Sequence, residues 1–218
     1  MLYKNYIWDF DGTLVDSYPH ILASMKKVLA EEGIETDDDV LMRHFLVNFD
    51  SAKKYTGLSD EAFNRFGRYQ LMMGDDEIEP KVKPFPGVRE ILGGVVEMGG
   101  KNFLYTHRGG SAIAYLESFG MKDFFTGIVT SRDGFPDKPA PDAILKIIKD
   151  YSLNPAECVM IGDREIDGMA GKNAGIAGFL VTSQTVDLDG NDPHAITAMD
   201  HNCHNIYGVA RIAGIPRI

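Results

Sequence analysis

From residue 88 onward the chain alternates between helical and strand patterns, and nothing else in the sequence restricts the fold as strongly. A helical spacing of apolar residues over 88–98 leads to a short apolar run over 102–105, and a second helix over 111–119 leads to a run over 127–130. Helices over 141–151 and 166–173 then alternate with strands over 158–161 and 178–181. Such alternation predicts an α/β fold, a doubly wound, Rossmann-like parallel sheet with helices on both faces. Residues 2–10, rich in aromatic and β-branched side chains and ending at Asp11-Gly12, predict a first buried strand that runs into a loop.

Between that strand and the alternating part the character is helical throughout. Ile21, Leu22, Met25, Val28 and Leu29 recur at helical spacing behind Ser17 as N-cap and Pro19 in the first turn, and Gly33 closes the helix. Helical patterns follow over 38–47 and 60–73, the latter preceded by Ser59 with Asp60 and Glu61 in its first turn. Lys83-Pro84-Phe85-Pro86-Gly87 is a stiff punctuation. The expected organisation is therefore a core domain of residues 1–14 and 85–218 with an all-helical cap domain, 15–84, inserted after the first strand. Phe45, Phe49, Tyr55, Phe63, Phe66 and the pair Met72-Met73 are expected to fill the cap's core.

Composition excludes several classes of partner. The net charge is -10, and no run of Lys or Arg forms a stripe against it, so nucleic acid is not expected as a partner. Cys158 and Cys203 are the two cysteines, one of them in an expected buried strand, which argues against a disulfide framework and for a reducing compartment. The chain opens without a basic region followed by an apolar stretch, and no stretch approaches the length of a membrane span, so a cytoplasmic protein without a membrane partner is expected. Oligomeric state is not legible at this level.

In open parallel sheets ligands bind beyond the carboxyl ends of the strands. Four places there carry chemistry: Asp9-Phe10-Asp11-Gly12-Thr13, Thr106-His107-Arg108, Lys138 in Asp137-Lys138-Pro139, and Gly162-Asp163 with Asp167. Asp9, Asp11, Asp163 and Asp167 are expected to converge on one cleft, where like charges disfavour one another unless a cation is present. Magnesium suits hard oxygen ligands and completes its shell with a substrate phosphate. Lys138 adds positive charge and Thr106 a phosphate hydrogen bond, so the expected chemistry is phosphoryl transfer. Arg164 and Glu165 are expected to face solvent or cap the following helix, outside the site.

These motifs, in this order, resemble the four motifs of the haloacid dehalogenase superfamily, and the position of the helical insertion resembles the phosphoglycolate phosphatase-like branch. The resemblance covers residues 6–181. It implies a nucleophile at Asp9, an acid/base at Asp11, and Mg2+ held by Asp9, the backbone carbonyl of Asp11 and Asp163, with Asp167 in support. It further implies that Thr106, Lys138 and the backbone N–H of His107 hold the phosphate of a small phosphorylated metabolite, phosphoglycolate-like or sugar-phosphate-like. His107 and Arg108 depart from the pattern, in which Asn and then a small or basic residue usually follow the Thr. A phosphosugar mutase of the same superfamily is the alternative activity. A dehalogenase fits less well, because Asp11 supplies a carboxyl that a halide leaving group does not need. A phosphoacceptor signalling or binding domain is disfavoured by Thr106 at the later acceptor position and by the long cap. The tail beyond Ser183 carries His194, His201, Cys203 and His204, expected to be a polar loop rather than a zinc site because the spacing matches no ligand pattern.

Overall fold

Residues Asn5–Trp8 form β1, and all four of its side chains are buried. In this computed structural model, which describes residues 2–71, 81–181, 199–203 and 205–215, that strand is central in a six-stranded sheet. Its neighbours are β4 (Lys101–Tyr105) and β6 (Cys158–Gly162), and β5 (Phe125–Val129), β7 (Ala177–Val181) and β8 (His201–Cys203) complete the order β5-β4-β1-β6-β7-β8. Every pairing is parallel. The helices between successive strands are α5 (Val88–Glu97), α6 (Ser111–Ser118), α7 (Asp142–Asp150) and α8 (Glu165–Asn173), with α9 (Ile206–Ala213) after β8. The expected doubly wound α/β architecture is what the chain adopts. From β1 the chain builds outward through β4 and β5, then returns to β6 on the other side, so the direction of winding reverses at β1. That reversal opens a crevice at the carboxyl end of β1, where Asp9 stands.

The sheet is held by side chains that leave little unsatisfied. Ile7, Phe103 and Met160, one from each of the three central strands, pack into one cluster with Ile144 and Ile147 of α7 and Ala170 of α8. On β1, Trp8 donates from Nε1 to Asn102 Oδ1 at 2.9 Å, and Asn102 Nδ2 donates to the Leu92 carbonyl at 3.0 Å. A buried polar pair is thus fully bonded instead of costing desolvation. Two short strands, β2 (Val15–Asp16) and β3 (Lys83–Pro84), make a separate two-stranded ladder.

Contacts divide the chain into two compact units, Met1–Asp16 with Pro84–Ile218, and Ser17–Lys83. The second unit holds α1 (Tyr18–Glu31), α2 (Asp38–Val47), α3 (Phe49–Thr56) and α4 (Asp60–Leu71). Phe45 and Phe66 are buried with ring centroids 5.7 Å apart, and Phe63 lies 5.4 Å from Phe66. Phe49 and Tyr55, expected inside, are 39% and 38% exposed, because both lie on α3, whose sequence FDSAKKYT buries only Ala52 and Thr56. The Ser59 hydroxyl accepts from the Ala62 N–H as an N-cap does, whereas Ser17 stands before α1 without a side-chain cap bond. Met72, Met73, Ser183, His194 and His204 lie outside the described residues.

The tail corrects the expectation of a polar loop. His201–Cys203 extends the sheet as β8, and Asn205 caps α9 by accepting from the Gly208 N–H at 3.2 Å. Ile206, Val209, Ala210 and Ala213 recur at helical spacing and are buried, an apolar stripe along one face of α9.

Candidate active site

Each motif residue leaves the carboxyl side of a strand. Asp9 follows β1 directly, Thr106 follows β4, Asp163 follows β6, and Lys138 lies in the connection from β5 to α7. Gly12, at φ 75°, turns the chain back after β1, and its N–H donates to the Val15 carbonyl at 2.9 Å. Gly162 has a second kind of necessity: a Cβ there would stand 2.3 Å from the Asp167 side chain. Only glycine lets Asp167, from the first turn of α8, fold back over the end of β6.

Lys138 is the centre of the charge arrangement. Its fully buried Nζ donates to Asp9 Oδ1 and to Asp167 Oδ1, both at 2.7 Å, and lies 4.6 Å from the Tyr105 ring centroid. Burial works against its charge, but the two carboxylates outweigh that and hold its pKa above the ordinary lysine value. Burial also pushes the Asp9 carboxyl up to about 6, with Lys138 pulling against it. At Asp167 burial is overcome by Lys138, by Arg164 and by hydrogen bonds from the Lys138 Nζ and the Arg164 N–H, so its pKa lies below the usual carboxylate value.

Asp9, Asp163 and Asp167 each offer an oxygen within 4.8 Å of the others, a set that can hold a divalent metal. Asp9 Oδ2 is buried and accepts no hydrogen bond among the described residues, which leaves it available as a ligand atom. Asp163 is oriented by Thr13, whose Oγ1 donates to its Oδ1 at 3.2 Å. Hard carboxylate oxygens with a supporting hydroxyl suit an ion such as magnesium.

The Asp11 carboxyl is not in that set, and the resemblance implied a ligand there only through the Asp11 backbone carbonyl. Asp11 is turned onto Arg108: Nε lies 2.9 and 3.0 Å from its two oxygens, and Nη2 lies 2.7 Å from Oδ1. The physical reason is the nearby guanidinium, a stronger and bidentate partner for a carboxylate than solvent.

Thr106 is buried, and its Oγ1 accepts from the Arg108 N–H at 3.0 Å. His107 does more than its backbone was expected to do. Its Nε2 accepts from the Lys138 N–H at 2.9 Å, which requires the proton on Nδ1. Burial, with Lys138 and Arg164 nearby, lowers its pKa to about 4 and keeps the ring neutral. Glu165 is exposed and Arg164 is the N-cap of α8, as expected, its N–H donating to Asp167 Oδ2 at 3.0 Å. But Arg164 is only partly exposed, and its charge acts on Asp9, His107, Lys138 and Asp167. Arg164 is adjacent in sequence to Asp163, which was the signal available for finding it.

A family model described as haloacid dehalogenase-like hydrolase matches residues 6–181. A phosphoglycolate phosphatase of Pseudomonas syringae pv. tomato is 30% identical over 187 residues, covering 80% of this chain and 67% of that protein. A crystal structure of a hydrolase from Streptococcus pneumoniae TIGR4 is 27% identical, with a TM-score of 0.64 and coverage of 99% and 100% of the two chains. A haloacid dehalogenase-superfamily hydrolase from Geobacter sulfurreducens shares the fold at a TM-score of 0.72 and 21% identity, over 97% of this chain and 98% of that one. The chain belongs to the haloacid dehalogenase-like hydrolases, in the phosphoglycolate phosphatase-like branch, and is by class a phosphatase. Among the described residues no helix is long and apolar enough to cross a membrane.

Proposed function

We propose that this enzyme is a magnesium-dependent phosphatase of a small phosphorylated metabolite and works through an aspartyl phosphate on Asp9. The observation that carries the reading is the buried Asp9 carboxylate, bonded to Lys138 through one oxygen and, among the described residues, without a hydrogen-bond donor on the other. In the first step an Asp9 oxygen attacks the phosphorus, the bond to the leaving oxygen breaks, and Asp11 gives that oxygen a proton. In the second step water attacks the phosphorus, Asp11 takes the water's proton, and the Asp9 carboxylate is released with inorganic phosphate. Lys138, Thr106 and the His107 N–H bind the phosphoryl oxygens. Asp9, Asp163, Asp167 in support and the Asp11 carbonyl would hold Mg2+, which supplies further charge neutralisation to the transferring group.

All these side chains belong to the unit formed by Met1–Asp16 and Pro84–Ile218, so the helical insertion is assigned to selection among leaving groups. With no disulfide between the buried Cys158 and Cys203, a reducing compartment such as the cytoplasm suits the chain. The test is inorganic phosphate release from phosphoglycolate, sugar phosphates and an aryl phosphate, with Asp9→Asn and excess chelator as controls. Turnover by wild type that both controls abolish is the expected result. Wild-type rates in Asp9→Asn refute the nucleophile, and undiminished rates after metal removal refute the metal.

A further inference from the structure

Besides its two carboxylates, the Lys138 ammonium has a partner that carries no charge. The Nζ lies over the Tyr105 ring, 4.6 Å from its centroid, and is itself fully buried. An ammonium out of water is drawn to the negative face of an aromatic ring more strongly than an exposed one. Tyr105 ends β4, directly before Thr106, and is buried in one cluster with Ile7, Phe103, Val129 and Ile144. The ring is therefore anchored in the sheet and its core, whereas Lys138 comes from a loop. The Tyr105 hydroxyl donates to the Pro136 carbonyl of that loop at 3.4 Å, a long hydrogen bond, so the ring face is the closer tie between the two.

The partners of Lys138 behave differently as a phosphoryl group is transferred. Two of its three N–H donors go to Asp9 and Asp167 among the described residues, which leaves one for a phosphoryl oxygen. Once an Asp9 oxygen is bonded to phosphorus, Asp9 is no longer a carboxylate, and half of the ionic hold on the ammonium is gone. The ring takes no part in that change. Its attraction comes from a quadrupole, so it holds the ammonium without cancelling the charge. A further carboxylate in its place would hold Lys138 too, but it would repel the phosphoryl oxygens.

Resting on the phosphatase reading, we infer that Tyr105 is a positioning residue for Lys138, its ring face keeping the ammonium on the transferring phosphoryl group when Asp9 has ceased to be a carboxylate. No bond to Tyr105 is made or broken. The contribution belongs to the electron density of the ring and not to its bulk, which gives the assignment a signature that packing alone does not have.

The test replaces Tyr105 by Phe and, through unnatural amino acids, by phenylalanines carrying one, two and three ring fluorines, which draw density off the ring face and change its volume little. Phosphate release is measured with whichever of phosphoglycolate, a sugar phosphate and an aryl phosphate the wild type turns over fastest, and circular dichroism verifies folding. Tyr105→Phe is expected to stay within about threefold of wild type in kcat/KM, because the ring remains and the lost hydrogen bond is a long one. Each fluorine should then lower kcat/KM by about threefold, to a total of about thirtyfold at three. A level series in folded proteins assigns the ring to packing, overturns the inference and leaves the phosphatase reading standing. A loss in Tyr105→Phe as large as that of the trifluorinated protein assigns the effect to the hydroxyl and overturns it equally. If the trifluorinated protein does not fold, the slope across the Phe, monofluorinated and difluorinated proteins decides. A wild type that releases phosphate from none of the three substrates overturns both the inference and the reading beneath it.

Discussion

His107→Gln separates a neutral, hydrogen-bond-accepting imidazole from one that titrates. The glutamine Oε1 can occupy the place of Nε2 and accept the Lys138 N–H, but it cannot take up a proton in this pH range. In the folded wild type the imidazole pKa is lowered from 6.5 to about 4, chiefly by burial and then by Lys138 and Arg164, with Asp137 and Asp167 opposing. The unfolded chain therefore binds a proton to His107 from about pH 6.5 downward, while the folded chain resists until about pH 4. Protons bound more tightly by the unfolded state lower stability as pH falls, so the loss begins below 6.5 and is complete below about 4. At about 1.4 kcal/mol per pH unit the span amounts to about 3 kcal/mol, and to about 2–3 kcal/mol once partial solvent screening is allowed for. The assay is urea unfolding of wild type and His107→Gln from pH 7 to pH 4, in chelator so that metal binding adds no pH dependence of its own. Other groups titrate in both proteins, so the difference between the two profiles isolates His107. Wild type should lose about 2–3 kcal/mol more than the variant across that interval. Parallel profiles would show that the ring is not held neutral, and the tether between His107 and the Lys138 loop would have to be abandoned.

Two further outcomes follow from the same geometry. Thr13→Val removes the hydroxyl that orients Asp163, so the half-saturating magnesium concentration for phosphate release should rise about tenfold or more; an unchanged magnesium titration would deny Thr13 that part. Asp11→Asn should slow turnover by about a hundredfold to ten-thousandfold. With an aryl phosphate it should also accumulate a phosphate adduct, visible by rapid quench and intact mass, and wild-type turnover without adduct would move the acid/base role elsewhere.

The parts of this molecule that were legible in the sequence are those in which one physical demand dominates. The strands over 158–161 and 178–181 read as strands because buried parallel strands need continuous apolar runs. The segment α3 was overlooked because FDSAKKYT buries only two side chains and shows no apolar period; its start is set by Asn48, which accepts the Ser51 N–H. The strand β8 is three residues long, too short for alternation to register. At the site the residue types were readable but their directions were not. Carboxylates two apart on an ideal strand point the same way, yet β1 ends at Trp8, before both, and Asp11 instead meets Arg108. That Arg108 goes inward and His107 accepts from a main-chain N–H depends on a neighbouring loop that is distant in sequence.

The placement of the nucleophile has a consequence for how the chain fluctuates. Asp9 extends β1, which is bonded along both edges to β4 and β6, and its own N–H donates to the Ile161 carbonyl at 2.8 Å. Amides so placed exchange with solvent through openings that dismantle much of the sheet, whereas β8, bonded among the described residues on one edge, to β7, can detach by itself. Transient fraying at that margin costs little and leaves β1 paired. The attacking carboxylate is thus rooted where the backbone opens least often, and momentary losses of structure at the periphery pass without disturbing its aim.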